Sequence, residues 1–437
     1  MKFFLVILVF FLGVQAKELE GTFVSEPIFN ASVYMQKEGN PENPAVVLVH
    51  GLGEEASSIW DSTRELLKHD YYVITFDLPG FGKSTKSNEL YSPQNYAKCI
   101  RYLTQMHVKK SFHLVGHSMG GAIALRYTSM YPSDVASLVL IDVAGILHRS
   151  EYNTFLMQTG VYSLLDEQSA LAQNSKFNRF VDKITEKLDR KMSVDMSKIL
   201  PSPALRASVL GANPMRIAAV ALVEENFSVI PQEIKVQTTI VWGERDDIAP
   251  LKTGYVLHKL IENSSLSIIP HANHVPMLTH EEVFFKILKE HLIHPKAPIR
   301  PTSPQQMQSY SAQLKNITDK TYSGVIDRMS IVDSQRVVIK DALIGELVVT
   351  NSDVEIINSS FKGQNEVVLM AQNAKVSIIA SDIFGKIKLY NVKLHLLGTH
   401  IKTLGKPIEV LFTSFAFYSL CNINNTLVHG KEILNIN

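Results

Sequence analysis

Cysteine is nearly absent from this chain: only Cys99 and Cys421 occur among its 437 residues. So few cysteines exclude a disulfide framework as the device that stabilises the protein. The two positions also fall in stretches of different sequence character. We therefore expect two unpaired, buried thiols.

An excess of charge of one sign is missing as well, since 43 lysine and arginine residues face 42 aspartate and glutamate residues. No long block of like charges occurs. This balance argues against a nucleic-acid partner and against binding to a strongly charged membrane surface.

Long apolar stretches are absent except at the N-terminus, where Met1-Lys2 precedes an apolar run from Phe3 to Val14. A helix of that length spans about 18 Å, short of the ~30 Å of hydrocarbon in a bilayer. Small residues then stand where a signal peptidase needs them. The sequence predicts a signal peptide at 1–16 and an exported protein, periplasmic or secreted; an uncleaved anchor is the alternative.

Apolar material is otherwise plentiful, at 46% of the residues, and it comes in short runs separated by helical patterns. Runs that are apolar on both faces are typical of a buried parallel sheet with helices between its strands. The sequence predicts an α/β domain over 17–294, ending in a helix at 281–291. The predicted strands are 45–49, 72–76, 112–115, 137–141, 238–242 and 266–269.

The alternation stops between about 143 and 230, where apolar residues recur at helical spacing. Inserted between two strands, these helices would cover the strand ends as a lid; a plain helical layer is the simpler alternative. The residues that carry the spacing are Phe177, Phe180, Val181, Ile184 and Leu188.

Four prolines between Pro295 and Pro304, followed by polar residues, predict an extended linker over 295–324. The tail at 325–437 then repeats itself: Val354-x-Ile356 leads to Phe361-x-Gly363, and Val376-x-Ile378 leads to Ile383-x-Gly385. An earlier copy runs from Val337 to Leu343-x-Gly345 and is one residue shorter. A repeat near 20 residues predicts a C-terminal all-β domain, a small β-solenoid, with a β-sandwich as the alternative.

The strongest chemical signal is Gly116-His117-Ser118-Met119-Gly120, which follows a predicted strand and precedes a helix start. Such a turn strains the serine backbone and needs glycine two positions before and after it. It lifts the hydroxyl to the N-terminus of the next helix, where amides favour negative charge. Ser118 is therefore the candidate nucleophile.

A serine hydroxyl needs a base, and the base needs a carboxylate to orient it. His274 follows the last predicted strand and is the candidate base, with His271 as its nearest rival. Asp246 and Asp247 end the preceding strand, and spacing does not decide between them. His113 lies within a strand and is expected to be a packed core residue, and the His117 ring is expected to point away from the attacking oxygen.

An acyl-transfer site also needs two backbone N–H groups for the oxyanion. Met119 follows the nucleophile and is one candidate. Leu52, in the turn His50-Gly51-Leu52-Gly53 after the first predicted strand, is the other. This chemistry needs no metal or organic cofactor, and none is expected.

Together, these motifs make residues 44–292 resemble the α/β-hydrolase superfamily, closest to its lid-bearing esterase and lipase-like members. The segments that carry the resemblance are His50–Gly53, Asp77–Ser84, Gly116–Gly120, Gly243–Asp246 and His274. The resemblance implies Asp246 rather than Asp247 as the triad acid. Asn273 departs from the family, which usually has glycine there, and is expected to take over its left-handed backbone conformation.

The resulting hypothesis is a serine hydrolase that cleaves a small-molecule or lipid ester through an acyl-enzyme. An amidase, a peptidase or a carbon–carbon hydrolase would use the same triad. A surface-binding protein with a relic hydrolase domain is the alternative from another class. The C-terminal domain is expected to stabilise the protein, to self-associate or to bind the cell envelope.

Overall fold

The computed structural model describes residues 21–147, 196–293 and 308–434. Three predictions lie wholly or partly outside these ranges: the signal peptide at 1–16, the lid residues from Phe177 to Leu188, and the first part of the linker.

The first sheet has eight strands in the order β1-β2-β4-β3-β5-β6-β7-β8. β2 pairs antiparallel with β1 and with β4, and all later neighbours are parallel. The strands are β1 (Thr22–Glu26), β2 (Ala31–Glu38), β3 (Ala45–Val49), β4 (Tyr72–Phe76), β5 (Phe112–His117), β6 (Val135–Ile141), β7 (Thr238–Gly243) and β8 (Ser264–Ile269).

All six predicted strands of this sheet are present, and β3 and β4 match their predicted bounds at both ends. Every residue of these two strands is buried, which is why their sequences are unbroken apolar runs. The sequence missed β1 and β2. Both contain exposed positions, since they form the antiparallel edge of the sheet.

Helices cover both faces of this sheet, and none of the described ones is both long and apolar enough to cross a bilayer. Two 3-10 turns occur at Ala56–Trp60 and Pro132–Asp134. The helices are α1 (Asp61–Leu67), α2 (Pro93–Gln105), α3 (Met119–Met130), α4 (Met196–Ile199), α5 (Pro203–Leu210), α6 (Pro214–Glu224), α7 (Ile230–Glu233), α8 (Leu251–Leu260), α9 (Pro276–Thr279) and α10 (Glu281–Ile293).

The described part of the predicted lid segment is helical, from α4 to the start of α7. Ser202 and Asn213 cap α5 and α6, each accepting a hydrogen bond from a backbone N–H three residues later. Ile217 and Leu222 on α6 are buried in the same core as the sheet. These helices are therefore packed onto the hydrolase core.

In its described residues the C-terminal domain is all-β, with twelve strands that are nearly all paired in parallel. The pairing of β11 with β12 closes the arrangement on itself, and β20 pairs antiparallel with β19. The strands are β9 (Tyr310–Lys315), β10 (Thr318–Val332), β11 (Gln335–Thr350), β12 (Asp353–Ile357), β13 (Ser360–Gln372), β14 (Lys375–Ile379), β15 (Asp382–Tyr390), β16 (Lys393–Leu397), β17 (His400–Lys402), β18 (Ile408–Phe412), β19 (Ser414–Ile423) and β20 (Thr426–Leu434).

Two sequence predictions for this domain need correction. β9 and β10 begin within 295–324, the predicted linker. β9 alternates between half-buried and exposed residues and the first residues of β10 are mostly exposed, so both look polar in sequence. The partner of Phe361 is Ile344, not Leu343. Ile344 is fully buried, whereas Leu343 is only half-buried, so the earlier copy of the repeat is not one residue shorter.

Equivalent residues of successive repeats pair directly, Val337 with Val354, Val354 with Val376, and Val376 with Leu394. One corner of each repeat adopts positive φ, at Asp333 (49°), Asn351 (50°), Asn373 (48°) and Asn391 (53°). Aspartate and asparagine tolerate this left-handed conformation best after glycine. Their side chains bond along the stack, as in the 3.0 Å contact of Asn351 Nδ2 with Asp333 Oδ1.

A second corner of the repeats also has positive φ, and its residues change from polar to apolar along the stack. Asp341 and Asn358 occupy this corner first, and Ala380, Gly398 and Leu420 follow. Ala380 and Leu420 are buried in the hydrophobic core that also contains Val256 of α8. The corner loses its polar side chains where it packs against the hydrolase domain.

Polar contacts surround this junction. Lys259 Nζ lies 2.5 Å from Asp382 Oδ2, and Lys340 Nζ donates to the Tyr255 hydroxyl at 2.7 Å. Cys99 in α2 and Cys421 in β19 are both buried, and neither forms a disulfide, as expected from the sequence.

Packing at the junction predicts different effects of substitution at two glycines that both have positive φ. Gly398 (φ +55°) would place a Cβ 2.9 Å from Val256 Cγ1, whereas Gly405 (φ +79°) has nothing within 4 Å. Both alanine variants lose the left-handed freedom of glycine, at about 1–2 kcal/mol. Gly398→Ala also overpacks the junction, typically by about 1–3 kcal/mol. Its melting temperature should fall several degrees further than that of Gly405→Ala; equal melting temperatures would show that the junction is not packed as described.

Candidate active site

Ser118 occupies a sharp turn between β5 and α3, with φ 54° and ψ −120°. Positive φ is uncommon for a residue with a side chain and marks backbone strain. A Cβ on Gly116 would lie 2.3 Å from the carbonyl oxygen of Gly120, and a Cβ on Gly120 would lie 2.3 Å from that of Val49. The close approach of these backbones is the physical reason for the Gly-x-Ser-x-Gly pattern.

Backbone hydrogen bonds fix the strained turn from both sides. The Ser118 amide donates to the carbonyl of Ile141 on β6 at 2.9 Å. The Ser118 carbonyl accepts from Gly121 at 3.0 Å and from Ala144 at 3.3 Å. The side chain is therefore held at the carboxyl end of the sheet, at the first turn of α3.

His274 and Asp246 are brought together at the same sheet edge. His274 Nδ1 donates to Asp246 Oδ2 at 2.8 Å, and both residues are buried. Because Nδ1 carries the proton in this bond, Nε2 of the neutral ring is left free to accept one. This is the arrangement that a general base requires.

The second oxygen of Asp246 is held by the backbone. Asp246 Oδ1 accepts from the amides of Ile248 at 2.8 Å and Ala249 at 2.9 Å. Asp247 makes no corresponding bond to His274. Burial raises the pKa of the Asp247 carboxyl, and the charge of Asp246 adds to the effect. Geometry thus distinguishes two carboxylates that spacing alone could not.

The other candidate bases lie elsewhere. His271 is exposed, and its amide donates to Glu244 Oε2 at 2.9 Å. His113 Nδ1 contacts Ser137 Oγ at 2.7 Å within the sheet, and burial lowers its pKa. Neither ring belongs to the cluster around Ser118.

His117 contacts the candidate base, which the sequence did not predict. Its Nε2–H donates to the backbone carbonyl of His274 at 2.7 Å, and the two rings lie 4.8 Å apart. Burial, with a further contribution from His274, holds its pKa well below the usual range. This neutral ring anchors the backbone of the candidate base. Adjacency to Ser118 was the only signal in the sequence.

The candidate oxyanion turn also approaches Ser118 closely. A Cβ on Gly51 would lie 2.8 Å from Ser118 Cβ. His50 secures the turn, because its Nδ1–H donates to the Gly51 carbonyl at 2.7 Å and its Nε2 accepts from Leu78 N–H at 2.9 Å. Burial lowers the pKa of His50, which favours this neutral form. Leu52 lies in this turn.

Met119 begins α3, and amides in the first turn of a helix have no acceptor within the helix. The predicted oxyanion residues Leu52 and Met119 therefore lie in backbone segments on two sides of Ser118.

Asn273 does not have the left-handed backbone expected of it. The left-handed residue of this turn is His271, with φ 62°. Asn273 instead accepts a hydrogen bond from the Val275 amide at 3.2 Å through its side-chain oxygen. The turn before His274 thus reverses two residues earlier than the family pattern implied.

Residues 44–281 match the family model of the α/β hydrolase fold. Since this match covers more than half of the chain, the protein belongs to the α/β-hydrolase family. It is a hydrolase of that family, and lipases are among its relatives.

Lipase 1 of Psychrobacter immobilis is 27% identical over 245 residues, covering 55% of this chain and 74% of that protein. Monoacylglycerol lipase ABHD6 of Mus musculus is 25% identical over 275 residues, covering 58% of this chain and 77% of that protein. Among solved structures, an esterase from Exiguobacterium antarcticum aligns with a TM-score of 0.47 and 21% identity, over 62% of this chain and 99% of that one.

The buried neutral ring of His117 predicts loss of stability in acid. Unfolding restores the ordinary histidine pKa of about 6.5, so below that pH the unfolded chain binds a proton that the folded chain refuses. The free energy of unfolding then falls as pH falls, by at most ~1.4 kcal/mol per pH unit for one group. His117→Gln keeps a donor and removes this titration.

Melting curves between about pH 7.5 and about pH 5 test this prediction. The melting temperature of His117→Gln should drop less than that of the wild type over this range. His271→Gln, which changes an exposed ring, is the control and should follow the wild type. Parallel curves for His117→Gln and the wild type would contradict a buried neutral His117.

Proposed function

We propose that this protein is a serine hydrolase of carboxylic esters with Ser118 as nucleophile, His274 as general base and Asp246 as the acid that orients it. The observation that carries the proposal is the His274–Asp246 hydrogen bond at the same sheet edge as the strained Ser118 turn. A serine hydroxyl in such a turn acts as a nucleophile only if a base is within reach to take its proton.

The expected reaction has two halves. Ser118 Oγ attacks the ester carbonyl while its proton passes to His274 Nε2, and the backbone N–H groups of Leu52 and Met119 stabilise the oxyanion. Collapse releases the alcohol, which takes the proton from His274. Water, activated by the same ring, then attacks the acyl-enzyme, and the carboxylic acid leaves with Ser118 restored.

The names of two relatives, a lipase and a monoacylglycerol lipase, favour the assignment of an ester substrate. The segment 143–230, which is predicted to form the lid, is moderately apolar in sequence. An apolar acyl or alcohol group is the matching substrate class. Amide, peptide and carbon–carbon bonds are the alternatives that the same three residues would cleave.

Export and the form of the C-terminal domain belong to the same proposal. The segment 1–16 has the sequence of a secretory signal, so a periplasmic or secreted enzyme is proposed.

The C-terminal domain is proposed to be a short β-solenoid, since Val337, Val354, Val376 and Leu394 pair in one parallel ladder. Self-association or envelope binding through this domain is its proposed role.

Covalent labelling tests the nucleophile. A fluorophosphonate probe should label the wild type and leave Ser118→Ala unlabelled, because the probe traps an activated serine. Hydrolysis of short-chain p-nitrophenyl esters should fall by at least about 1,000-fold in the same variant. Equal labelling of both proteins would reject the assignment. A folded wild type inactive on every ester length would favour the relic-domain alternative, and turnover of matched amides only would favour an amidase.

Asp246 and Asp247 are adjacent and chemically identical, so substituting each one separately tests which of them is the triad acid. Asp246→Asn keeps the shape but favours the wrong imidazole tautomer, so kcat should fall by about 10⁴-fold. Asp247→Asn removes a carboxylate that does not bond His274, and kcat should change by less than about tenfold. Steady-state kinetics on one ester decides the matter, and equal losses in the two variants would overturn the choice of Asp246.

A further inference from the structure

A third carboxyl group lies behind the His274–Asp246 pair and has no part in the reaction described above. Asp142 follows directly after β6, is fully buried and has φ 45°. Its amide donates to the carbonyl of Val241 on β7 at 3.1 Å. Its side chain therefore lies between the ends of β6 and β7, where the turn that carries Asp246 begins.

The two oxygens of Asp142 have unequal partners. Oδ1 accepts from the Gly243 amide at 2.8 Å. Among the described residues no donor reaches Oδ2, although this atom is buried. Gly243 links Asp142 to Asp246, since its amide bonds Asp142 and its carbonyl accepts from the Asp246 amide at 3.2 Å. The hydrogen-bond interaction between the two side chains therefore sets one acceptor against another. Two buried carboxyl groups this close cannot both be ionised, so one of them holds a proton.

The hydrogen bonds decide which one holds it. Asp246 accepts three N–H groups, from Ile248, Ala249 and His274, whereas Asp142 accepts one, from Gly243. Donors stabilise a carboxylate, so the negative charge resides on Asp246. Burial, followed by the charge of Asp246, raises the pKa of Asp142 well above its usual range, which agrees with this assignment.

We propose that Asp142 is a positioning residue that stays protonated and donates a hydrogen bond to the Asp246 carboxylate. The inference rests on the proposed function, since Asp246 acts there by orienting His274. A proton on Asp142 satisfies its otherwise unpartnered oxygen and fixes the carboxylate plane of Asp246. It also leaves a single negative charge to stabilise the His274 ring when that ring becomes protonated.

Other titratable groups at this sheet edge do not replace that proton. Asp247 neighbours Asp246 and is half-buried, and its raised pKa reflects burial and the same charge. His117 is neutral and donates to the backbone of His274. Asp247 Oδ1 is also a buried oxygen without a partner among the described residues, but Asp247 interacts with Asp246 through charge alone. Asp142 is the carboxyl whose side chain has a hydrogen-bond interaction with Asp246.

Two substitutions suit the left-handed backbone at this position. Asp142→Asn has the same shape; its amide oxygen can accept from Gly243 and its NH₂ can donate to Asp246. Asp142→Gly accepts φ 45° without strain and removes the side chain. Asn copies a protonated carboxyl but not an ionised one, so the pair separates the proposal from an ionised Asp142 that merely holds Gly243.

Steady-state ester hydrolysis is the first readout. Asp142→Asn should keep kcat within about threefold of the wild type, whereas Asp142→Gly should lower kcat about tenfold or more with little change in KM, the size expected for losing a hydrogen bond to a charged group. A fully active Asp142→Gly, or an Asp142→Asn as impaired as Asp142→Gly, would overturn the proposal.

Melting temperature against pH is the second readout and needs no activity. A carboxyl that keeps its proton when folded but has a pKa of about 3.9 when unfolded costs stability progressively as pH rises above about 4. Asparagine carries no such cost, so the melting temperature of Asp142→Asn minus that of the wild type should increase from about pH 4.5 to about pH 8. A constant or decreasing difference would show that Asp142 is ionised in the folded protein.

Ser118→Ala separates this inference from the proposed function. If Ser118→Ala kept full ester hydrolysis, the proposed active site would be wrong, yet the pH-dependent melting of Asp142→Asn would still test the shared proton. If Ser118→Ala were inactive and the difference in melting temperature were flat, the proposed function would stand and the role of Asp142 would be rejected.

Discussion

The strained turn at Ser118 depends on three backbones meeting with no side chains between them. Gly116 lies against the carbonyl of Gly120, and Gly120 lies against that of Val49. The hydrogen bond from Ser118 to Ile141 ties this turn to the next strand. The register of β3, β5 and β6 therefore determines where the serine points. The strain is sustained by the buried sheet around it, whose strands are apolar on both faces.

Around that turn, burial limits how much charge the site holds. His50 and His117 are buried and neutral, and each is held through hydrogen bonds to backbone groups. Asp246 is the carboxyl group that gathers three N–H donors, and its buried neighbour Asp142 has one. The N–H donors thus converge on the carboxylate that bonds His274.

The sequence predicted the strands that consist of unbroken apolar runs and the strands that recur at a fixed spacing. Apolar runs predicted every parallel strand of the first sheet, and the bounds of β3 and β4 at both ends, whereas β1 and β2, on the half-exposed antiparallel edge, showed no clear pattern. Spacing suggested Leu343 in the repeat where Ile344 carries the pairing, since burial decides between adjacent apolar residues. Ser118 and His274 were predicted from motifs and their order along the chain, and Asp246 was preferred to Asp247 because of the family resemblance. The contacts of His117 and Asp142 depend on which strand ends meet, and no local pattern records that.

The apolar corner at Ala380, Gly398 and Leu420 bears on how such an enzyme evolves. It packs on α8, which begins immediately after the turn that carries Asp246. A hydrolase domain that acquired this tail could exchange polar residues on that helix for apolar ones, and afterwards could not shed the tail without exposing them. Loss of the tail would then destabilise the hydrolase domain, so the two domains would remain together. Relatives that lack the tail are expected to keep a hydrophilic helix at the corresponding place.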